Sequence, residues 1–214
     1  MTTRLFAFEF CVVVLGVLVA QGVADWARTK ADRREGRNLV ARLVEAGRSL
    51  NQVSNYWSLH GSCLRRHVDH IAREAVAGRS MPMDEIGRPG LPNVSDLVLG
   101  EDDWRKIVLT AGSQRAEAFS DFHLDADSID RYSTDISNEW ATFKLLDPSI
   151  GPPSAEDQAR VRVATAIIDD RLRWLMFNLQ QTRDELRRAG LRPDDDLPDS
   201  ETLVDACGLI RGWK

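Results

Sequence analysis

Hydrophobic positions along the 214-residue chain follow two different patterns. Residues 5–24 form an almost unbroken apolar run whose only charged residue is Glu9. Further along, apolar residues recur at helical spacing among many charged ones. Twenty helical residues rise about 30 Å, which matches the hydrocarbon core of a bilayer. The first pattern therefore predicts a membrane-spanning helix, and the second predicts a helical domain that follows it.

The residues that border the apolar run favour an uncleaved anchor. Trp26 lies where an interfacial aromatic residue is expected, and five basic residues follow it closely. A cleaved signal peptide is the alternative, because residues 22–24 are small enough for a signal peptidase. Against that alternative, Glu9 lies where the hydrophobic part of a signal peptide should begin. We expect residues 1–26 to anchor a domain formed by residues 27–214.

Basic residues near the span bear on its orientation in the membrane. One Lys or Arg precedes the span and five follow it, so the positive-inside rule favours a cytoplasmic domain. Three acidic residues, Asp25, Asp32 and Glu35, are interspersed with these cations, and the N-terminal tail is short. The periplasmic side therefore stays open as the alternative.

One face of the predicted span carries its acidic and small residues. At 100° per residue, Glu9 shares a face with Gly16, Ala20 and Ala24. Small residues four apart let two helices approach closely in lipid. The alternative is that Glu9 is merely interfacial and that Gly and Ala are ordinary membrane-helix residues. The pattern predicts a helix-pairing face and a homo-oligomer.

The segment E-F-C-V-V-V-L-G-V-L-V-A-Q-G-V-A-D-W resembles the N-terminal signature of an uncharacterised family of bacterial single-pass membrane proteins. The signature reads E-x(6)-G-x(3)-A-x(5)-W, and its positions are Glu9, Gly16, Ala20 and Trp26 here. The resemblance covers about 18 residues, with a looser similarity in the charged helix that follows. It implies a single-pass anchor in the bacterial inner membrane and supplies no activity.

Two long helices are predicted from sevenfold apolar spacing, which is typical of a coiled-coil seam packed lengthwise on another helix. The first, about 27–77, contains no proline, and the second, about 155–189, opens with a capping box at Ser154 and Asp157 and ends at Gly190. The seam positions of the first helix are Leu43, Leu50, Trp57, Leu64 and Ile71, and those of the second include Val161, Ile168 and Leu175.

The remaining segments connect these two helices or end the chain. Residues 78–95 are rich in Gly, Pro and Ser and predict a loop. Short helices are expected within about 102–146, one near its start and one from about Asp127, and another at about 200–211. The sequence therefore predicts an all-α protein, in which an N-terminal transmembrane helix runs into an elongated antiparallel helical bundle with two long heptad helices.

Ligand chemistry is concentrated on one arc of the first long helix. His60, Cys63, His67 and His70 have spacings at which helical side chains converge, and Zn²⁺ would accept such ligands. Residues ten apart are separated by about 15 Å, so one ion would need two of these residues and a partner helix. The alternative is that the histidines are packed in the seam and that Cys63 is a small buried residue or the disulfide partner of Cys207.

Composition and motifs exclude several functions. A net charge of −5 argues against a nucleic-acid binder. No nucleotide-binding, zinc-protease or serine-hydrolase motif occurs, so we assign no catalytic residue and no cofactor. We expect a membrane-anchored interaction or scaffold protein whose partners are the lipid bilayer, further copies of itself and an unidentified protein. The alternative is a membrane-tethered metal or pH sensor that uses the arc of His60, Cys63, His67 and His70.

Overall fold

The computed structural model describes residues 2–93 and 98–191, with side chains for all of these except residues 2–9, 11 and 59. Every regular element in these two ranges is helical, which confirms the all-α class. The elements are α1 (Thr2–Val76), α2 (Met83–Ile86), α3 (Glu101–Ala111), α4 (Ser113–Trp140), two 3₁₀ turns (Ala141–Leu146 and Pro148–Ile150) and α5 (Ala155–Arg188).

The chain divides into two compact units. Unit 1 comprises Met1–Arg42 and Leu99–Ala116, and unit 2 comprises Leu43–Val98 and Glu117–Lys214. Helix α1 contributes to both units, since its first half carries the apolar run and its second half carries the heptad seam. We describe each unit by itself.

In unit 1, α3 packs closely on α1 at a glycine. A Cβ atom on Gly36 would collide with the hydroxyl of Thr110 and the backbone carbonyl of Lys106, so only glycine allows this approach. Next to it, the Lys106 ammonium lies 2.9 Å from the Glu35 carboxylate, and this pairing raises the pKa of Lys106. Ile107 of α3 is fully buried. These contacts fix α3 beside the helix that follows the apolar run.

Unit 2 is a helical bundle in which α1 and α5 run antiparallel. The Ser54 hydroxyl donates to the Leu179 carbonyl across 3.0 Å, and Arg65 pairs with Asp169 at 2.8 Å. Later positions on α1 therefore meet earlier positions on α5. The residues predicted at sevenfold spacing on both helices are buried: Leu43, Leu50, Trp57, Leu64, Ile71, Val161, Ile168 and Leu175.

Helix α4 is the third long helix of the bundle and runs antiparallel to α5. Arg188 of α5 pairs with Asp121 at 3.2 Å, and Arg171 pairs with Asp135 at 3.0 Å. We expected a polar connection before about Asp127, whereas α4 already begins at Ser113.

Buried side chains before Asp127 explain this difference. Phe119, Phe122 and Ala126 are buried and continue at helical spacing into Ile129. Acidic residues between them mask this apolar stripe in the sequence. Among the described residues, the bundle thus has three long helices, and the stretch before Asp127 that was expected to be a connection belongs to its core.

The structure describes most of the expected loop and both ends of α5. The expected loop 78–95 contains α2, a single helical turn. At the start of α5 the Asp157 amide donates to the Ser154 hydroxyl at 3.1 Å, and the Ser154 amide donates to the Asp157 carboxylate at 3.0 Å. Gly190 ends the helix with a φ of +76°. The helix expected at about 200–211 lies outside the described residues.

Candidate functional site

The apolar run near the N-terminus is helical, and its described side chains, those of residues 10 and 12–24, are all exposed. One helix here is long and apolar enough to cross a membrane. Its most hydrophobic stretch has no buried residue, and Val13 and Leu18 are 64% and 57% exposed. A core helix of a soluble protein would bury such residues against the protein. This helix instead presents them on all sides.

The small residues of the expected helix-pairing face are exposed and uncovered by other described residues. Gly16, Ala20 and Ala24 are exposed, and a Cβ added to Gly16 would meet nothing within 4 Å. The face could therefore accept a close partner helix without rearrangement. The fourth residue of the set, Glu9, lies within α1, and its side chain is outside the described part of the chain.

The four residues of the His/Cys arc have separate partners rather than a common centre. His60 stacks on Tyr56 with ring centroids 3.7 Å apart, and its Nδ1 lies 2.7 Å from the Tyr56 carbonyl. His70 is exposed and lies 3.7 Å from the Glu74 carboxylate. His67 points instead to the loop after α1.

His67 ties that loop to the bundle. Its Nε2 lies 2.9 Å from the Ile86 carbonyl, and its ring lies 6.3 Å from that of Trp140. The Trp140 indole donates to the Gly87 carbonyl at 2.8 Å. Burial lowers the pKa of His67, although the hydrogen bond to Ile86 acts in the opposite direction. The residue is thus a packed histidine that favours its neutral form.

Cys63 is buried and takes part in a disulfide bond. A disulfide sulfur is not the thiolate that a zinc site needs. Cys207, the partner expected from the sequence, lies outside the described residues. The proposed pairing of Cys63 with Cys207 stays a prediction.

Within residues 2–93 and 98–191, no group of three or more His, Cys, Asp or Glu side chains is arranged to hold a metal ion. The arc of His60, Cys63, His67 and His70 therefore does not form a metal centre from described residues alone. Among the described contacts, His60 lies against Tyr56, His67 against the loop after α1 and His70 beside Glu74, while Cys63 is in a disulfide.

The sequence did not reveal a buried acidic pair between α4 and α5. Glu185 is only 6% exposed, and its carboxyl group neighbours that of half-buried Asp125. Arg188 lies 3.5 Å from Glu185 and also pairs with Asp121. Among the described groups, no donor reaches Glu185 Oε2 or Asp125 Oδ2. A hydrogen bond with Asp125 is among the causes that raise the pKa of Glu185, and such a bond requires a proton on one of the two carboxyl groups.

Burial and charge repulsion set the protonation of this pair. Burial is the largest of several causes that together raise the pKa of Glu185 to about 7, and the negative charge of Asp125 is the next largest. Burial likewise raises the pKa of Asp125. Ionising both of two neighbouring carboxyl groups in a buried site is unfavourable in free energy. The pair can therefore bind and release a proton near neutral pH.

No local motif would have identified the acidic pair. The two residues are 60 positions apart, and each lies in a stretch rich in charged residues. Only the antiparallel packing of α4 on α5 brings them together. That packing was hidden because residues 113–126 were expected to be a connection.

Comparisons of the chain with models of protein families, with curated proteins and with solved structures find no match. The functional interpretation therefore depends on the exposure, contacts and charges described above.

Proposed function

We propose that this chain is a single-pass, membrane-anchored helical protein that acts as an interaction or scaffold module and associates with copies of itself. The observation that carries the proposal is the apolar stretch of α1 that has no protein cover. The resemblance of this stretch to the family signature adds to that support.

Lipid is the solvent that fits the uncovered stretch. A contiguous apolar surface of this size in water would drive aggregation, because soluble monomers rarely expose patches above a few hundred Å². Insertion into a bilayer removes the apolar side chains from water. The backbone hydrogen bonds are already formed within the helix, so the bilayer leaves no backbone group without a partner. The span therefore holds the protein at the membrane, and the helical bundle provides a folded surface that partner proteins can bind.

Self-association is proposed through the face of Glu9, Gly16, Ala20 and Ala24. In lipid, helices associate through close packing and hydrogen bonds rather than through the hydrophobic effect. Gly16 offers the open space that such packing needs. A carboxyl group near one end of the span can reach water or bond to a partner helix.

A Gly16→Leu variant tests self-association in the full chain. The larger side chain should separate two paired helices and lower the yield of cross-linked oligomer in native membranes several-fold. Leu18→Ala is the matched control, because it changes a side chain on another face and should leave the yield unchanged. An equal yield in wild type and Gly16→Leu, or an equal loss in the control, would contradict pairing through this face.

We further propose that the helical domain faces the periplasm. The basic residues after the span favour the cytoplasm, but acids are interspersed among them. The disulfide at Cys63 supports the oxidising side, because cytoplasmic thiols are kept reduced. Reporter fusions at the C-terminus test this choice: a periplasm-active reporter should work, and activity only from a cytoplasm-active reporter would reverse it.

A second candidate function is a membrane-tethered pH sensor. The observation that favours it is the acidic pair of Asp125 and Glu185, which joins two helices of the bundle. A metal sensor based on His60, Cys63, His67 and His70 has weaker support, since Cys63 is disulfide-bonded. Metal analysis of the purified chain tests that version, which requires stoichiometric metal that is lost in His67→Ala.

A further inference from the structure

A stripe of cations with one aromatic residue begins where the apolar run of α1 ends. Trp26, Lys30, Arg33 and Arg37 are exposed and lie within about 60° of one another at 100° per residue. With Thr29 they line a shallow hollow on this face. The Lys30 ammonium lies 5.0 Å from the centre of the Trp26 ring, which is a cation–π distance. We call this set the basic stripe.

Charges around this part of α1 are separated by sign. The nearby acids, Asp25, Asp32 and Glu35, lie about 100° or more from Trp26 around the helix. Glu35 is further neutralised by Lys106 of α3. The basic stripe therefore presents three positive charges with no acidic side chain among them.

We infer that the basic stripe binds the anionic headgroups of phospholipids in the membrane that holds the span. This inference rests on the proposed anchor, since only a chain inserted at the apolar run brings the stripe to the bilayer surface. The ligand chemistry is a lipid phosphate, which matches a row of Lys and Arg beside an interfacial Trp.

The helix geometry brings the cations within reach of that surface. Along the axis, Lys30 lies about 6 Å beyond Trp26 and Arg33 about 10 Å, whereas the headgroup layer is roughly 5–8 Å thick. Helical side chains tilt toward the N-terminus, which here is the membrane side, so Lys30 and Arg33 reach back to the phosphates. Arg37 ends within about one Debye length of them at physiological salt.

The test measures which lipids surround the full chain in vesicles. Phosphatidylcholine vesicles receive spin-labelled phosphatidylglycerol or spin-labelled phosphatidylcholine, and electron spin resonance gives the relative affinity of the protein for each. The variant Lys30→Gln/Arg33→Gln/Arg37→Gln removes the stripe. Arg42→Gln/Arg48→Gln/Arg73→Gln is the matched control, because it removes the same charge at least sixteen residues beyond Trp26 on the same helix.

We expect wild type to prefer phosphatidylglycerol by about fivefold or more, with the preference falling in high salt. The stripe variant should lose the preference and the control variant should keep it. No preference in wild type, or an equal loss in both variants, would overturn the inference while leaving the anchor intact. A chain that does not enter the vesicles at all would overturn the anchor as well.

Discussion

Helix α1 contains two hydrophobic regions that use similar residues in opposite ways. Val13 and Leu18 in the first region are largely exposed, whereas Leu43 and Ile71 in the second are completely buried. The first region is apolar at nearly every position, and the second is apolar at every third or fourth. The difference teaches that the spacing of apolar residues, rather than their type, indicates whether a helix face is packed against protein or left uncovered.

The largest expected effect comes from charging the first region. In Leu15→Arg/Leu18→Arg, each arginine near the middle of the span costs about 2.5–3.5 kcal/mol of insertion free energy. The variant should leave the membrane fraction, while its bundle keeps its thermal transition because neither residue is in the core. Fractionation and circular dichroism measure the two effects, and retention of the variant in the membrane would contradict a lipid-embedded span.

The next effect should come from truncating the buried seam. Leu50→Ala and Ile71→Ala should each lower the free energy of unfolding by about 2–5 kcal/mol, because they leave cavities in the core. Leu18→Ala, which removes the same atoms as Leu50→Ala from the exposed region, should have no such effect. Urea unfolding of the full chain in detergent measures all three. Similar losses of unfolding free energy in Leu18→Ala and Leu50→Ala would contradict the difference between the two regions.

A third effect concerns the acidic pair inside the bundle. Because the folded-state pKa of Glu185 is raised to about 7 from its ordinary value of 4.5, its stabilisation is complete below pH 4.5 and is lost as pH rises through 7. The loss is about 3 kcal/mol at most. Glu185→Gln, which mimics the protonated acid, should therefore be more stable than wild type at pH 8 and equally stable near pH 4.5.

Unfolding curves between pH 4.5 and 8 measure this effect. Asp184→Asn is the control, because Asp184 is exposed on the same helix and pairs only with its neighbour Arg187 among the described contacts. His67 acts in the opposite direction, since its lowered pKa makes stability fall as pH drops below about 6.5. The difference between Glu185→Gln and wild type isolates the acidic pair from that contribution. A pH-independent difference would show that the pair does not share a proton.

The smallest predicted effect concerns the start of α5, where Ser154 caps the helix. Ser154→Ala should cost about 1 kcal/mol, because the Asp157 amide loses its acceptor. Ser154→Asp should retain most of the stability, since an aspartate oxygen can accept the same bond. Urea unfolding compares the variants, and an unchanged midpoint in Ser154→Ala would show that the cap contributes nothing.

Much of the fold follows from the sequence because its signals are local. The apolar run, the seam from Leu43 to Ile71 and the cap at Ser154 each depend on spacings within one helix. The first half of α4 was missed because Asp121 and Asp125 interrupt its apolar stripe. Asp121 pairs with Arg188 of α5 and Asp125 neighbours Glu185, and such long-range contacts leave no local pattern.

The candidate sites show the same limit. Gly16 and its neighbours can be placed on one face from the helical repeat alone. The arc from His60 to His70 also followed from the repeat, but the contacts of each side chain with the loop, with Tyr56 and with a disulfide decide what it does. The proton-sharing pair of Asp125 and Glu185 required the packing of two helices that are distant in sequence.

The most direct test of the anchor is alkaline carbonate extraction of membranes that contain the full chain. The intact mass of the chain is then measured by mass spectrometry. An embedded, uncleaved span predicts a chain of 24.0 kDa that stays in the pellet at high pH. Release of the chain into the supernatant, or a shorter chain that lacks the apolar run, would contradict the anchor.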